Sequence, residues 1–379
     1  MPEVAVIILS YNSLEETTKP CLESIFAAST DCDFEVLVVD NASTDNTREY
    51  LQGLQAAHPN LKLLLNEENL GFARGNNQGV QAIEADFYVL LNSDTQVTGH
   101  WLDKLLAFAR EHPEVGMLGP VSNSVGNEQY IYLPLGAEDA VMEAGCRYAA
   151  GQEGSYFYTS MLGFFCVMIR KEVFQSVGFL DEKFGLGYFE DDDFCRRARL
   201  QGYKLACLEN IFIYHRGSAC FSKVDFSALV RENRHYYEQK YCCQWRTSFR
   251  IGVFLDFLES CIQQTTPARW EQSLQRMANR IKVMRYFDME CHDDKLPSKT
   301  EEDLRDLILD KNQQLRMFRE DIKILRNELD EQHARIIQLR TQWEGLMGRA
   351  DWRLLMKFNS LPGIAAIKRF LRPLLSRIL

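Results

Sequence analysis

Between Phe189 and Phe194 the chain sets four carboxylates in a row, Glu190, Asp191, Asp192 and Asp193, followed closely by Arg196, Arg197 and Arg199. Two unit charges about 4 Å apart repel by roughly 4 kcal/mol near a protein surface, so such a run needs relief. On an open surface water supplies it. The aromatic flanks and the trailing arginines instead suit the opening turns of a helix, where the helix dipole favours carboxylates. Side chains at consecutive helical positions point in different directions, so the four acids need not share one task.

Three further polar clusters stand immediately after apolar runs: Ser10-Tyr11-Asn12, the DNAST segment from Asp40 to Thr44, and the NSDT segment from Asn92 to Thr95. Asp and Ser at such places also cap helices and make turns, and Asp40 and Ser43 could serve the following helix alone. Three clusters on successive runs are harder to dismiss. The segment NLGFARGNNQG (69–79) adds Gly71, Gly75 and Gly79 around Arg74 and two asparagines. Glycine permits close backbone approach, and an arginine there could pair with phosphate.

The elements that would position these groups are legible in the apolar pattern. VAVIIL (4–9), FEVLVV (34–39), LKLLL (61–65) and FYVLL (87–91) are near-continuous apolar runs, the signature of parallel strands covered on both faces. Stretches of helical length fall between and after them, around 14–28, 44–57, 72–84 and 100–111, so the pattern predicts an α/β architecture of repeated βαβ units. Ligands of such sheets sit at the carboxyl ends of the strands, where the three polar clusters fall.

The chain has 379 residues, 46% apolar and 25% charged, enough for two or three domains with a full core. No segment has the length and polarity of a membrane span, and the run Val4 to Leu9 lacks the basic start of a signal peptide, which predicts a cytoplasmic protein. Eleven cysteines without a C-x-x-C pair fit buried thiols in a reducing compartment better than a disulfide framework or a zinc site. The net charge of −10 is uneven: residues 352–379 hold six Lys or Arg and no acid, leaving 37 basic against 53 acidic side chains elsewhere. That balance argues against nucleic-acid binding by the main body.

Taken in order, SYN, VVDNASTDNT, NLGFARGNNQG, LLNSDT, GFFCVMIRKEVFQSVGFLDEKF and YFEDDDFCRRARLQGY resemble the family 2 inverting glycosyltransferases of GT-A fold, in their bacterial rhamnosyltransferase-like branch. The resemblance spans about residues 3–220. It implies a nucleotide-sugar-binding fold with a mostly parallel central sheet, and a sugar transfer from a nucleotide sugar, dTDP-rhamnose or a UDP-hexose, to a hydroxyl of a surface glycan on a polyprenyl carrier. Ser10, Tyr11, Asn12 and Asp40 would hold base and ribose, Arg74, Gly75 and Asn76 would lie near the diphosphate, and Asn92 would face the ribose. Asp94 stands in the family's D-x-D motif and would bind a divalent metal, Mn or Mg, with His215 of IYHRGSA (213–219) as a further ligand. The first position of that motif is an amide here, which lowers the charge offered to the metal. Asp191 corresponds to the catalytic base, Glu190 lies on the acceptor side, and Asp193 supports its helix or pairs with an arginine. Gly163, Phe164 and Trp101 take acceptor-facing positions in the resemblance, although each could equally be core. Two other readings are a nucleotide-sugar-binding scaffold without catalysis and a sugar nucleotidyltransferase; the chain retains the acids and His215 that a scaffold would lose, and lacks a glycine- and lysine-rich triphosphate loop near its start.

We divide the chain into a catalytic domain at 1–221, a helical extension at 222–300, a coiled-coil helix at 301–348 and a basic amphipathic tail at 349–379. Apolar steps alternating four and three run from Leu304 through Leu325 and Leu339 to Leu346, predicting a left-handed coiled coil that either joins chains into a homo-oligomer or folds back. In the tail, Ile364, Ile367, Phe370, Leu371, Leu374, Leu375 and Ile378 share one helical face opposite Lys368, Arg369, Arg372 and Arg377. This composition suits a helix lying on an anionic membrane surface, which predicts peripheral attachment to the inner face of the cell membrane.

Overall fold

The computed structural model describes residues 1–133, 136–217, 227–242 and 269–290, together with Trp245, Phe257, Ser260, Cys261, Gln264 and Thr266. The predicted coiled coil and amphipathic tail lie outside the described residues. Among the described residues no helix is long and apolar enough to cross a membrane.

Met1–Asp293 forms one compact unit built on an eight-stranded sheet. Its strands are β1 (Val4–Ser10), β2 (Phe34–Asp40), β3 (Leu61–Leu65), β4 (Phe87–Asn92), β6 (Val115–Val121), β7 (Tyr156–Thr159), β8 (Cys166–Arg170) and β9 (Lys204–Phe212), in the spatial order β3-β2-β1-β4-β8-β6-β9-β7. β3, β2, β1 and β4 run parallel, β8 runs antiparallel between β4 and β6, and β9 is parallel to β6 with β7 antiparallel at the edge. The four apolar runs read from sequence are the four parallel strands. A separate two-residue ribbon pairs β5 (Thr95–Gln96) with β10 (Tyr214–His215), setting His215 opposite Thr95.

Alternate residues of each strand feed two cores, which explains why the runs are apolar throughout. Ala5, Ile7, Val39 and Leu90 face one layer with helices α3 (Gly71–Ala82), α6 (Lys171–Val177) and α7 (Glu190–Leu200), through Ala73, Val80, Phe174 and Phe194. Val4, Val6, Ile8, Val38 and Val89 face the other, with α1 (Lys19–Ala27), α2 (Thr47–Ala57) and α4 (Trp101–Glu111). α5 (Glu138–Ala150) packs beside β9. The stretch expected to be one helix from residue 14 opens with a π-helical turn, Leu14–Thr18, before α1.

Two helices of the extension are described, α8 (Ser227–Tyr241) and α9 (Trp270–Glu290). α9 is joined to the sheet by a buried pair, Arg276 Nε to Glu209 Oε2 at 2.5 Å, and Arg280 donates to the Glu128 carbonyl at 2.6 Å. α8 contributes Tyr237 to a third apolar cluster with Phe184 and Phe189, directly before the acidic run.

Candidate active site

A cavity of about 1470 Å³ opens along the carboxyl ends of β1, β2 and β4, and its described lining includes Asn92, Asp94, Glu190, Asp191, Asp192 and His215. The chain reverses after β4, and the short β5–β10 ribbon brings residue 215 back alongside; the Arg216 amide donates to the Asp94 carbonyl at 2.9 Å. Asp94 Oδ1 lies 3.2 Å from His215 Nε2, and both side chains are largely buried. His215 is held on three sides. Its Nδ1 meets the Ser124 carbonyl at 2.6 Å, its backbone exchanges two hydrogen bonds with the Asn123 side chain at 2.9 Å, and its ring stacks on Phe165 at 5.3 Å. The Ser124 carbonyl can only accept, so Nδ1 carries the hydrogen and donates to it, which directs the Nε2 lone pair toward the Asp94 carboxylate. Two acceptors in such contact need a second proton or a cation between them. Burial works to lower the His215 pKa, but the hydrogen bond and charge of Asp94 and the Ser124 carbonyl outweigh it, and the net displacement is upward. The same pair, with one imidazole oriented by its other nitrogen, suits a divalent cation completed by ligand oxygens; among the described residues there is no cluster of three or more His, Cys, Asp or Glu that could hold one alone.

Across the cavity, the four acids form the first turn of α7, as their flanks predict, and they divide. Asp193 is fully buried and accepts from Arg197 Nε at 2.7 Å and Tyr241 Oη at 2.6 Å, with Lys240 Nζ at 2.5 Å; it is an anchor for its helix. Asp191 Oδ1 accepts the Asp192 amide at 2.9 Å, and the Phe164 backbone also stabilises its ionised form. Burial outweighs these hydrogen bonds and pushes the Asp191 pKa up to about 6. Glu190 is 6% exposed, and its Oε2 has no hydrogen-bond partner. Burial first, then the charge of Asp191, lifts its pKa well above the usual carboxylate range. Neighbouring acids whose environments separate them in this way can act as proton donor and proton acceptor.

The turn that presents them is strained. Tyr188 and Phe189 adopt left-handed backbone with φ of 72° and 75°, at a cost of order 1–3 kcal/mol each for side chains of this size. Gly71, at the start of α3, has φ of 79°, and a Cβ there would stand 2.2 Å from the Gly185 carbonyl oxygen. The Phe72 amide donates to that same carbonyl at 3.2 Å, so the α3 start and the turn before α7 fit together only around a glycine.

The other expected residues fall into two groups. Tyr11, Asn92, Gly163 and Phe164 line the cavity. Ser10 is buried with its Oγ 2.8 Å from Thr18 Oγ1, and Asn12 bridges two loops by donating its amide to Ser43 Oγ and accepting from the Thr44 amide. Asp40 is fully buried and is not among the residues lining the cavity; one oxygen accepts from Arg48 Nε at 2.7 Å and the Ser43 amide, while Oδ1 is buried without a partner. Arg74, Gly75 and Asn76 do not line the cavity. A Cβ at Gly75 would stand 2.4 Å from Leu9 Cδ1, Asn76 donates to the Phe72 carbonyl, and Arg74 is half exposed, 4.0 Å from Glu182. The glycines at 75 and 79 let α3 lie close on β1, so their role is helix-to-sheet packing. Trp101, the first residue of α4, takes the core alternative: it is 2% exposed, packs in the apolar cluster of α1, α2 and α4, and is not among the residues lining the cavity. Asn41, Asn66 and Asn69 were not legible as site residues; hydrogen bonds among them tie the ends of β2 and β3 to the α3 start.

Residues 5–178 match the family model described as glycosyl transferase family 2. The glycosyltransferase AglE of Haloferax volcanii is 32% identical over 105 residues, covering 27% of this chain and 34% of the archaeal protein. The O-antigen biosynthesis protein RfbC of Myxococcus xanthus is 27% identical over 58% of this chain and 18% of its own length. An N-acetylglucosaminyl-diphospho-decaprenol L-rhamnosyltransferase of Mycobacterium tuberculosis is 24% identical over 61% of this chain and 84% of its own. The chain thus spans about a third or less of the first two of these relatives. It carries a family 2 glycosyltransferase domain.

Proposed function

We propose that this chain, as the bearer of a family 2 glycosyltransferase domain, moves a sugar from a nucleotide sugar to an acceptor hydroxyl with inversion at the anomeric carbon. The observation that carries the reading is one cavity with the Asp94–His215 pair on the strand-end side and the Glu190–Asp191 pair on the α7 side. Tyr11 and Asn92, on the cavity wall, face the nucleobase and ribose, and the motif resemblance assigns Asp40, buried and off the described lining with one unpartnered oxygen, to the same group. Asp94 and His215 hold a divalent cation, Mn or Mg, that when bound offsets charge on the departing nucleoside diphosphate. Glu190, whose buried carboxyl holds its proton to a higher pH than an ordinary carboxylate, donates to the acceptor and fixes its orientation. Asp191, ionised above about pH 6, takes the proton of the attacking hydroxyl as the new glycosidic bond forms and the bond to the diphosphate breaks. General-base help of this kind is worth about 10²–10⁴ in rate.

The donor, a dTDP-rhamnose or a UDP-hexose, and a polyprenyl-linked surface-glycan acceptor are our reading of the motif resemblance, supported by the names of the Myxococcus and mycobacterial relatives. The heptads of 301–348 join chains into a homo-oligomer, and the basic tail holds the enzyme on the inner face of the membrane near that acceptor. A screen of nucleotide sugars for metal-dependent release of nucleotide, with an acceptor library, tests the enzyme; no turnover with any donor would defeat it. Light scattering of the full chain against residues 1–303 tests the oligomer, and equal numbers of chains per particle would count against it.

A further inference from the structure

We propose that Asn233 is a positioning residue for the Glu190–Asp191 pair, and that α8 is the clamp that sets the pair's geometry. The inference rests on the transfer reading given above. It starts from the strained turn: two consecutive non-glycine residues with left-handed backbone, Tyr188 and Phe189, stand immediately before the acids. Such a conformation persists only where surrounding contacts over-determine it.

Those contacts come from α8. The Asn233 side-chain amide, 5% exposed, donates to the carbonyls of Phe184 at 2.8 Å, Gly187 at 2.7 Å and Tyr188 at 3.1 Å. Two N–H groups serve three carbonyls of one turn, which gathers the backbone from 184 to 188 around a single point. The Phe189 ring is then enclosed by Tyr237 of α8 at 5.9 Å and by Trp245, past the end of that helix, at 5.0 Å. On the far side of the acids, Tyr241 Oη and Lys240 Nζ hold Asp193. On the near side, Tyr236 Oη and Lys240 Nζ hold Asp181, at 2.8 and 2.7 Å. One helix therefore grips the chain before the acidic pair, at the turn into it and after it. Asn233 is not among the residues lining the cavity, so it acts through the turn and not on a substrate. α8 also lies beyond the residues matched by the family model.

The chemistry of the clamp sets the test. An aspartate has the shape of asparagine but no N–H, and at position 233 it would set a carboxylate against three carbonyl oxygens. In the full-length chain, Asn233→Asp and Asn233→Ala should each lower kcat by about 10- to 100-fold, the scale of a misplacement near 1 Å, while KM for the nucleotide sugar stays within about twofold because the donor-side residues are untouched. Hydrogen exchange of the amides from 184 to 190 should accelerate by about tenfold or more in both variants. A kcat within twofold of the parent, a donor KM that rises in step with the loss of kcat, or unchanged exchange across this turn would overturn the proposal. If the parent transfers no sugar at all, the transfer reading falls by itself, and exchange at 184–190 decides the clamp alone: acceleration upholds it and its absence overturns it.

Discussion

Replacing Asp191 by Asn should stabilise the protein while abolishing its turnover. The carboxyl ordinarily titrates near 3.8 and is pushed up to about 6 in the folded chain, chiefly by burial. A group whose folded pKa exceeds its unfolded value binds its proton more tightly when folded, so the folded state loses stability as pH rises from about 3.8 to 6 and stays lower above that. At 1.36 kcal/mol for each pKa unit, the ionised group costs the fold up to about 3 kcal/mol at pH 8. Asparagine keeps the shape and never ionises, so Asp191→Asn should recover roughly 1–3 kcal/mol at pH 8 and nearly none at pH 4. For a unit of this size each kcal/mol moves Tm by about 2–4 °C. Glu190, also raised by burial, would gain further relief from the loss of the Asp191 charge. Thermal denaturation of parent and variant at pH 4, 6 and 8, run beside a turnover assay, reads both effects. The expected pattern is a Tm gain that grows with pH, a kcat lower by about 10²–10⁴, and an unchanged donor KM. The parent's own kcat should fall below about pH 6 as Asp191 takes up its proton. A variant less stable than the parent at pH 8, a Tm difference independent of pH, or near-parental turnover would refute the assignment of Asp191 as a desolvated base.

Asp94→Ala should raise the dissociation constant for the nucleotide sugar by about 10- to 100-fold in the presence of Mn or Mg and leave metal-free binding nearly unchanged, as isothermal titration with and without chelator will read. Gly71→Ala should cost roughly 2–4 kcal/mol, from a left-handed backbone plus a Cβ that meets the Gly185 carbonyl; a urea melt with an unshifted midpoint would show that the α3 start and the turn at 185 are not pressed together. Charge reversal of Lys368, Arg369 and Arg372 to Glu should abolish pelleting with anionic vesicles and spare transfer to a soluble acceptor analogue; equal pelleting of parent and variant would exclude the basic tail as an anchor.

Much of the domain was readable because its signals are local. Apolar runs of five or six residues, three of the four followed by a polar cluster, specify strands whose two faces are both covered, and the four runs became β1 to β4 with Ser10, Asp40 and Asn92 as the last residues of β1, β2 and β4. The acidic run likewise declared a helix start through its own flanks, and it is the first turn of α7. The roles at the site depended on partners far away in the chain. NLGFARGNNQG offered glycine and arginine in a phosphate-binding composition, but a helix winds Gly75 onto β1 and turns Arg74 outward, and only the packing of α3 fixes which face is which. Trp101 carries no local mark that separates a core indole from an acceptor-facing one; only the packing of the first turn of α4 shows it buried in the core. His215 acquires its orientation from Ser124, 91 positions earlier, and the turn before Glu190 is held by Asn233, 45 to 49 positions later. Periodicity and turn chemistry report which backbone forms, because they act over a few residues. Hydrogen bonds that close across such separations exist only once the sheet has brought the segments together. The sequence by itself determined the strands, the polar residues at their ends and the acidic helix start, and tertiary structure decided which of these residues line one cavity and which serve the fold.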